Sequence, residues 1–198
     1  LFSFEREIWD DGISFIAGID EAGRGPLAGP VVASAVIVPK GKLFPLVDDS
    51  KKLTNKQRRV LSTEIMSVEG IIYSIVEVSV SDIEKYNILI ATHSAMIKAV
   101  QKLRCADFAL IDGLPVSNFP IPSKAIVRGD SKSSSIAAAS ILAKVYRDDL
   151  MEKYAIKYPI YGFERNKGYG TAEHMAVLKK YGPCPIHRKT FAPIKNLL

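Results

Sequence analysis

Residues 19–26 read IDEAGRGP: two acids side by side at the end of an apolar run, then an arginine held between two glycines. Residues 15–19, FIAGI, have the composition of a short buried strand, so Asp20 and Glu21 fall at a strand end. Neighbouring side chains on a strand point to opposite faces. The two acids therefore share one site only if the strand stops or twists between them, which Gly23 just downstream would allow.

Further strands are expected at residues 31–38, 71–78, 108–111 and 124–127, all rich in apolar or β-branched residues. Three of the five strands end alike. The first ends in Asp20 and Glu21, the fourth in Asp112, and the fifth runs through Arg128 and Gly129 to Asp130. If these three run parallel and adjacent, the four carboxylates meet on the sheet edge where open α/β sheets keep their sites. One acid at one strand end reads as a turn or cap residue, whereas three such ends together point to a site. Carboxylates at close range repel, and a divalent cation relieves that repulsion. Hard oxygen ligands suit Mg²⁺ or Mn²⁺.

Helical patterns lie between and after the strands. Thr54 and Gln57 have capping-box spacing ahead of residues 57–68. Residues 88–103 carry an amphipathic pattern, residues 134–158 are free of Gly and Pro, and residues 171–181 form a last helix. The expected fold class is α/β: a mixed five-stranded central sheet flanked by helices, in a single domain over residues 1–198, with a helical C-terminal extension from about residue 150.

The chain has 27 basic and 21 acidic residues, net +6, which suits a polyanionic partner without requiring one. Two cysteines, Cys105 and Cys184, make a disulfide framework a poor reading and favour a reducing compartment. The apolar runs at 31–38 and 136–143 are eight residues each, far short of the ~20 needed to span a membrane. The first twelve residues, LFSFEREIWDDG, lack the pattern of a signal peptide, and a start at Leu1 suggests trimming. A cytoplasmic protein without membrane association is the expectation. The glycine loop at 23–25 admits close backbone approach by a ligand, or simply forms a tight turn before Pro26. Its spacing fits neither a dinucleotide-binding fingerprint nor a Walker loop.

Taken together, several blocks resemble ribonuclease HII, the type 2 ribonuclease H family. They are GIDEAGRGPLAGPV at 18–31, DSKKL at 49–53, IDG at 111–113, GDSK at 129–132, SIAAASI at 135–141, AKVYRD at 143–148, KGYGT at 167–171 and PIHR at 185–188. The resemblance implies an RNase H-like fold. It implies an endonuclease that hydrolyses the RNA strand of RNA–DNA hybrids and incises duplex DNA 5′ to a single embedded ribonucleotide, leaving 3′-hydroxyl and 5′-phosphate ends. It carries over Asp20, Glu21, Asp112 and Asp130 as catalytic ligands of two Mg²⁺ or Mn²⁺ ions, and Gly23, Arg24, Gly25 and Tyr169 as readers of the ribose 2′-hydroxyl. A monomer acting in ribonucleotide excision repair is implied as well.

Other residues stay open on the sequence. Lys51 and Lys52 precede a helix start and would bind phosphate or remain solvated. Tyr169 alone would read as a packed aromatic in a Gly-Tyr-Gly turn. Lys144 and Arg147 would face a duplex, although Arg147 would equally pair with Asp148. His187 and Arg188 read as structural, and His93 and His174 as surface or core residues. Many members of the family carry further helix past the point matching Leu198, so weaker duplex binding with an intact metal site is expected, and no clamp-binding segment is recognisable. The competing readings are a different metal nuclease on this fold, a non-catalytic nucleic-acid-binding module, and a nucleotide-binding enzyme using the glycine loop.

Overall fold

A computed structural model describes residues 2–41 and 53–198. The strand carrying the paired acids, β1 (Ile16–Ala22), lies at the centre of the sheet. β2 (Val31–Ile37) runs antiparallel to it and pairs in turn with β3 (Ile72–Val78), also antiparallel. On the other side β4 (Phe108–Asp112) runs parallel to β1, and β5 (Ser123–Ile126) parallel to β4. The order is β3-β2-β1-β4-β5. The sheet is therefore mixed, and the three strands that end in acids are adjacent and parallel.

β2 is buried along its whole length, which its unbroken VVASAVI requires, while the edge strand β3 is buried only at alternate positions near its end. One face packs on α4 (Ile88–Leu103), whose Ala91, Ala95, Met96, Ala99 and Val100 meet Ala17, Ile19, Ala33 and Ala35. The opposite face packs on the long α5 (Ser134–Lys157) and on α2 (Asn55–Ser67), through Leu61, Ile65, Ala138, Ile141 and Leu142 against Val36 and Val38. The small residues of SSIAAAS let α5 sit directly on β1. A Cβ on Gly18 would stand 2.0 Å from the Ser135 backbone carbon. Gly18→Ala is therefore expected to lose about 3 kcal/mol of stability through overpacking, read as a lower urea midpoint. A change below ~0.5 kcal/mol would mean that α5 can lift away from the strand.

The capping box forms as read: Gln57 N donates to Thr54 Oγ1 at 3.3 Å, and Thr54 N donates to Gln57 Oε1 at 2.9 Å. Ahead of α5, two helices were not anticipated, α1 (Ser3–Asp10) and α3 (Val80–Tyr86). α1 is anchored by a buried acid. Glu5 Oε1 accepts from Ser133 Oγ at 2.6 Å, Ser135 Oγ at 2.8 Å and Ser135 N at 3.0 Å, so it caps the start of α5 from outside the helix. Beyond α5 come a short α6 (Phe163–Asn166), α7 (Ala172–Tyr181) and a short α8 (Ala192–Lys195). No helix among the described residues is long and apolar enough to cross a membrane.

Candidate active site

Of the two ways for the acids to share a site, a stop or a twist between them, the stop does not occur. β1 continues to Ala22, pairing Asp20 with Ser34 and Glu21 with Ala33. Both acids nonetheless interact with Asp112, because β4 ends one register step beyond the Ile19–Ile111 pair. Asp20 is buried, and its Oδ1 accepts from Glu21 N at 2.6 Å. Burial raises its carboxyl well above the usual range, Glu21 and Asp112 raise it further, and the Ser140 hydroxyl of α5 opposes them. Glu21 is also raised, by burial first, with the Arg24 guanidinium 3.3 Å away pulling the other way. Asp112 Oδ1 accepts from Gly129 N at 2.6 Å. That bond ties the end of β4 to the single 3₁₀ turn, Gly129–Ser131, that carries Asp130.

The glycine loop is held from behind by two buried arginines. Arg188 donates from Nη2 to Gly23 O at 2.6 Å, from Nη1 to Arg24 O at 2.9 Å, and from Nε and Nη2 to Gly29 O at 3.0 and 2.8 Å, with Pro30 O at 3.3 Å. Arg147 donates to Pro30 O at 3.1 Å, Ala28 O at 3.1 Å and Lys167 O at 3.0 Å. Arg147 thus does not face outward: three carbonyls hold its buried guanidinium, with Asp148 as an electrostatic neighbour. Burial, with Arg147 as neighbour, pushes Arg188 down to about 9, which leaves it charged at neutral pH. Gly23 has φ +97°, and a Cβ there would lie 2.1 Å from Arg147 Nε. Its lack of a side chain serves the arginine beneath the loop. At Gly25 a Cβ would make only ordinary contact, 3.7 Å, with the Tyr169 ring.

The same scaffold carries Tyr169. Leu27 N donates to Gly168 O at 2.8 Å and Arg188 N to Leu27 O at 2.8 Å, which laces the loop between residues 168 and 188. A cleft of about 450 Å³ results, lined by Glu21, Gly23, Arg24, Gly25, Asp130 and Tyr169 together with Arg58, Ser140 and Lys144. Tyr169 is 47% exposed into this region. Lys144 is tied to Asp148 at 2.6 Å. Lys51, the remaining expected substrate contact, lies outside the described residues, as does Lys52. The sequence reading missed Arg58, Ser140 and the depth of Arg188. Ser140 was visible within SIAAASI, but its register towards Asp20 was not.

The donor set suits a hard divalent cation. It is all carboxylate, and for Asp20 and Glu21 burial with like-charged neighbours already disfavours the charged form. The acids are not drawn together: among the described residues no three acid, His or Cys side chains are gathered as a closed metal site. Asp20, Glu21 and Asp112 instead turn partly towards the Glu21 amide, Arg24 and the Gly129 amide.

The fold has solved counterparts. The ribonuclease H2 of Pyrococcus horikoshii OT3 superposes with a TM-score of 0.77 at 28% identity, over 92% of this chain and 96% of that one. The RNase HII of Archaeoglobus fulgidus, solved in a complex with PCNA, gives 0.77 at 26% identity over 92% and 96%. A Bst-RNase HIII crystallised with Mn²⁺ shares the fold at 18% identity, with a TM-score of 0.71 over 93% of this chain and 69% of that one. The architecture is thus the RNase H-like fold. The ribonuclease HII family model matches residues 17–194. Curated ribonuclease HII proteins of Chlamydia caviae and Chlamydia pneumoniae are 55% and 52% identical, over 98% and 100% of this chain and 92% of each relative. The chain belongs to the ribonuclease HII family, and is therefore an enzyme of the divalent-metal-dependent ribonuclease H type.

Proposed function

We propose that the protein hydrolyses the RNA strand of RNA–DNA hybrids and incises duplex DNA 5′ to a single ribonucleotide, leaving 3′-hydroxyl and 5′-phosphate ends. The observation that carries this reading is that one cleft is lined by two of the strand-end acids, Glu21 and Asp130, together with a backbone loop and an exposed tyrosine. A nuclease of any kind needs the acids. Only one that must recognise a sugar beside the phosphate it cuts has use for the loop and Tyr169 as well.

Asp20, Glu21, Asp112 and Asp130 would hold Mg²⁺ or Mn²⁺. Bound there, such ions lower the pKa of a bound water and stabilise the leaving oxygen and the phosphoryl charge. The chain's own share is placement. β1, β4 and the turn after β5 fix where the carboxylates stand, and the Asp112–Gly129 bond keeps the last of them in step with β4. On the other wall, the Gly23 and Gly25 backbone meets the ribose edge and the Tyr169 phenol meets its 2′-hydroxyl. Arg24 and Lys144 face the phosphates, Lys51 adding to them, so binding weakens as salt rises. We further propose a monomeric catalytic unit acting in the cytoplasm, its C-terminal helices from about residue 150 supporting the duplex side.

The test uses an end-labelled DNA duplex with one ribonucleotide and an all-DNA control, each in Mg²⁺, in Mn²⁺ and in EDTA. The expected result is a nick 5′ to the ribonucleotide with either metal, abolished by EDTA, the control remaining intact. Cutting of both duplexes would replace the reading with a general nuclease. Binding without cleavage in either metal would replace it with a non-catalytic module.

A further inference from the structure

Two imidazoles sit fully buried behind Tyr169, and the reaction makes no direct use of either. His174 on α7 and His187 in the following segment approach Nε2 to Nε2 at 3.0 Å. They lie in an aromatic box, with the Tyr161 ring 4.9 Å and the Phe163 ring 5.6 Å from that of His187. All four ring nitrogens are engaged, and the partners leave one arrangement of protons. Cys184 N–H donates to His187 Nδ1 at 2.9 Å, nearer than the Cys184 carbonyl at 3.3 Å, and the Tyr169 carbonyl at the other end can only accept, so in neutral rings His187 Nδ1 carries no proton. His187 then bears its proton on Nε2 and donates to His174 Nε2. His174 in turn bears its proton on Nδ1, which lies 2.8 Å from the Tyr169 carbonyl.

We propose that this one-way chain, Cys184 amide to His187 to His174 to the Tyr169 carbonyl, positions Tyr169 for ribonucleotide recognition, making His174 and His187 positioning residues. The inference rests on the reading of Tyr169 given above. The Tyr169 carbonyl also accepts from Thr171 N at 2.8 Å, so two donors fix the peptide plane that follows the tyrosine. The far end of the chain is anchored to the glycine loop. His187 bridges to Ala28, and Arg188, the next residue, holds Gly23 and Arg24. The relay thereby joins the two elements that would read the sugar, the glycine loop and Tyr169. It needs neutral rings. Burial lowers His174 from its ordinary value, and burial with His174 as neighbour lowers His187 to about 4, which favours neutral rings at neutral pH.

Amide variants separate positioning from packing. In His174→Asn the amide N–H stands where Nδ1–H stood and still reaches Tyr169. In His174→Gln the amide reaches His187 and not Tyr169. If the box only needs filling, the two behave alike. On the single-ribonucleotide duplex in Mg²⁺, well below their unfolding temperatures, we expect His174→Gln to lower kcat about 10-fold or more with KM little changed, the signature of misplacement in the bound state. His174→Asn should stay within about 3-fold of the parent kcat on the same reasoning. Equal losses in both would overturn the proposal. Tyr169→Ala is measured alongside. If it incises normally, the reading of Tyr169 fails, and the functional half of the proposal with it. Independently of activity, nitrogen-15 spectra of the histidine-labelled protein at neutral pH should show His187 protonated only at Nε2 and His174 only at Nδ1. The opposite tautomers would overturn the relay itself.

Discussion

Asp20→Asn is expected to abolish incision and, in metal-free protein, to raise the melting temperature. The first effect follows if Asp20 is a ligand, since an amide is a neutral and weaker donor to a hard cation. A fall of about 10³-fold or more matches the scale on which single electrostatic groups at reaction centres act. The second follows from burial. Asp20 is held well above its ordinary range by desolvation and by Glu21 and Asp112. A carboxyl whose folded pKa is raised destabilises the fold above that pKa, and the penalty is relieved as pH falls through it. Asparagine keeps an Oδ1 to accept the Glu21 amide and drops the charge. The gain over the parent should therefore shrink as pH is lowered and the parent's carboxyl becomes neutral too. Differential scanning across pH with a parallel incision assay reads both effects. An active variant would remove Asp20 from the catalytic set, and an inactive but less stable one would make it a structural residue.

Arg188→Met should cost about 2–4 kcal/mol, because it strips the buried carbonyls of Gly23, Arg24 and Gly29 of their donor. Two effects oppose this loss. A buried charge is removed, and Arg147 is freed of a like-charged neighbour. The bonds should prevail, since several carbonyls depend on one fork and methionine offers none. Arg188→Lys is the discriminating companion. It restores charge but not the planar fork, so it should rescue neither stability nor incision at a lone ribonucleotide. Urea midpoints of all three proteins decide the matter. A neutral Arg188→Met would show that Arg147 and the backbone lacing to residues 168 and 188 suffice to hold the loop.

The sheet was largely legible from pattern. Strands at 31–38, 71–78 and 108–111 and the helix at 88–103 agree with the structure to within a residue or so, because apolar runs bounded by Pro, Gly and caps leave few alternatives. The adjacency of the three acid-ended strands was legible only as a condition, which the parallel order β1-β4-β5 meets. α1 escaped notice because its stabilising partner, the α5 start, lies about 130 residues away in sequence. Arg147 was misjudged for a related reason. An arginine in a helix rich in charge reads as solvated, and nothing local announces that three carbonyls from the glycine loop and from Lys167 await it. Glu21 posed the reverse problem, since strand alternation argued against a pairing that the early end of β4 permits.

α5 meets both halves of the cleft. Ser140 touches the acid side and Arg147 the glycine-loop side, seven residues apart and so on nearly the same face, about 10 Å along the axis. On the proposed reading, the interval between the cut bond and the recognised sugar is then a length kept by a helix. Exchanging an exposed residue in this stretch leaves the interval alone. Deleting one turns everything beyond it by ~100° and swings the arginine out from under the loop. In this segment the gene can vary in spelling, but not in count.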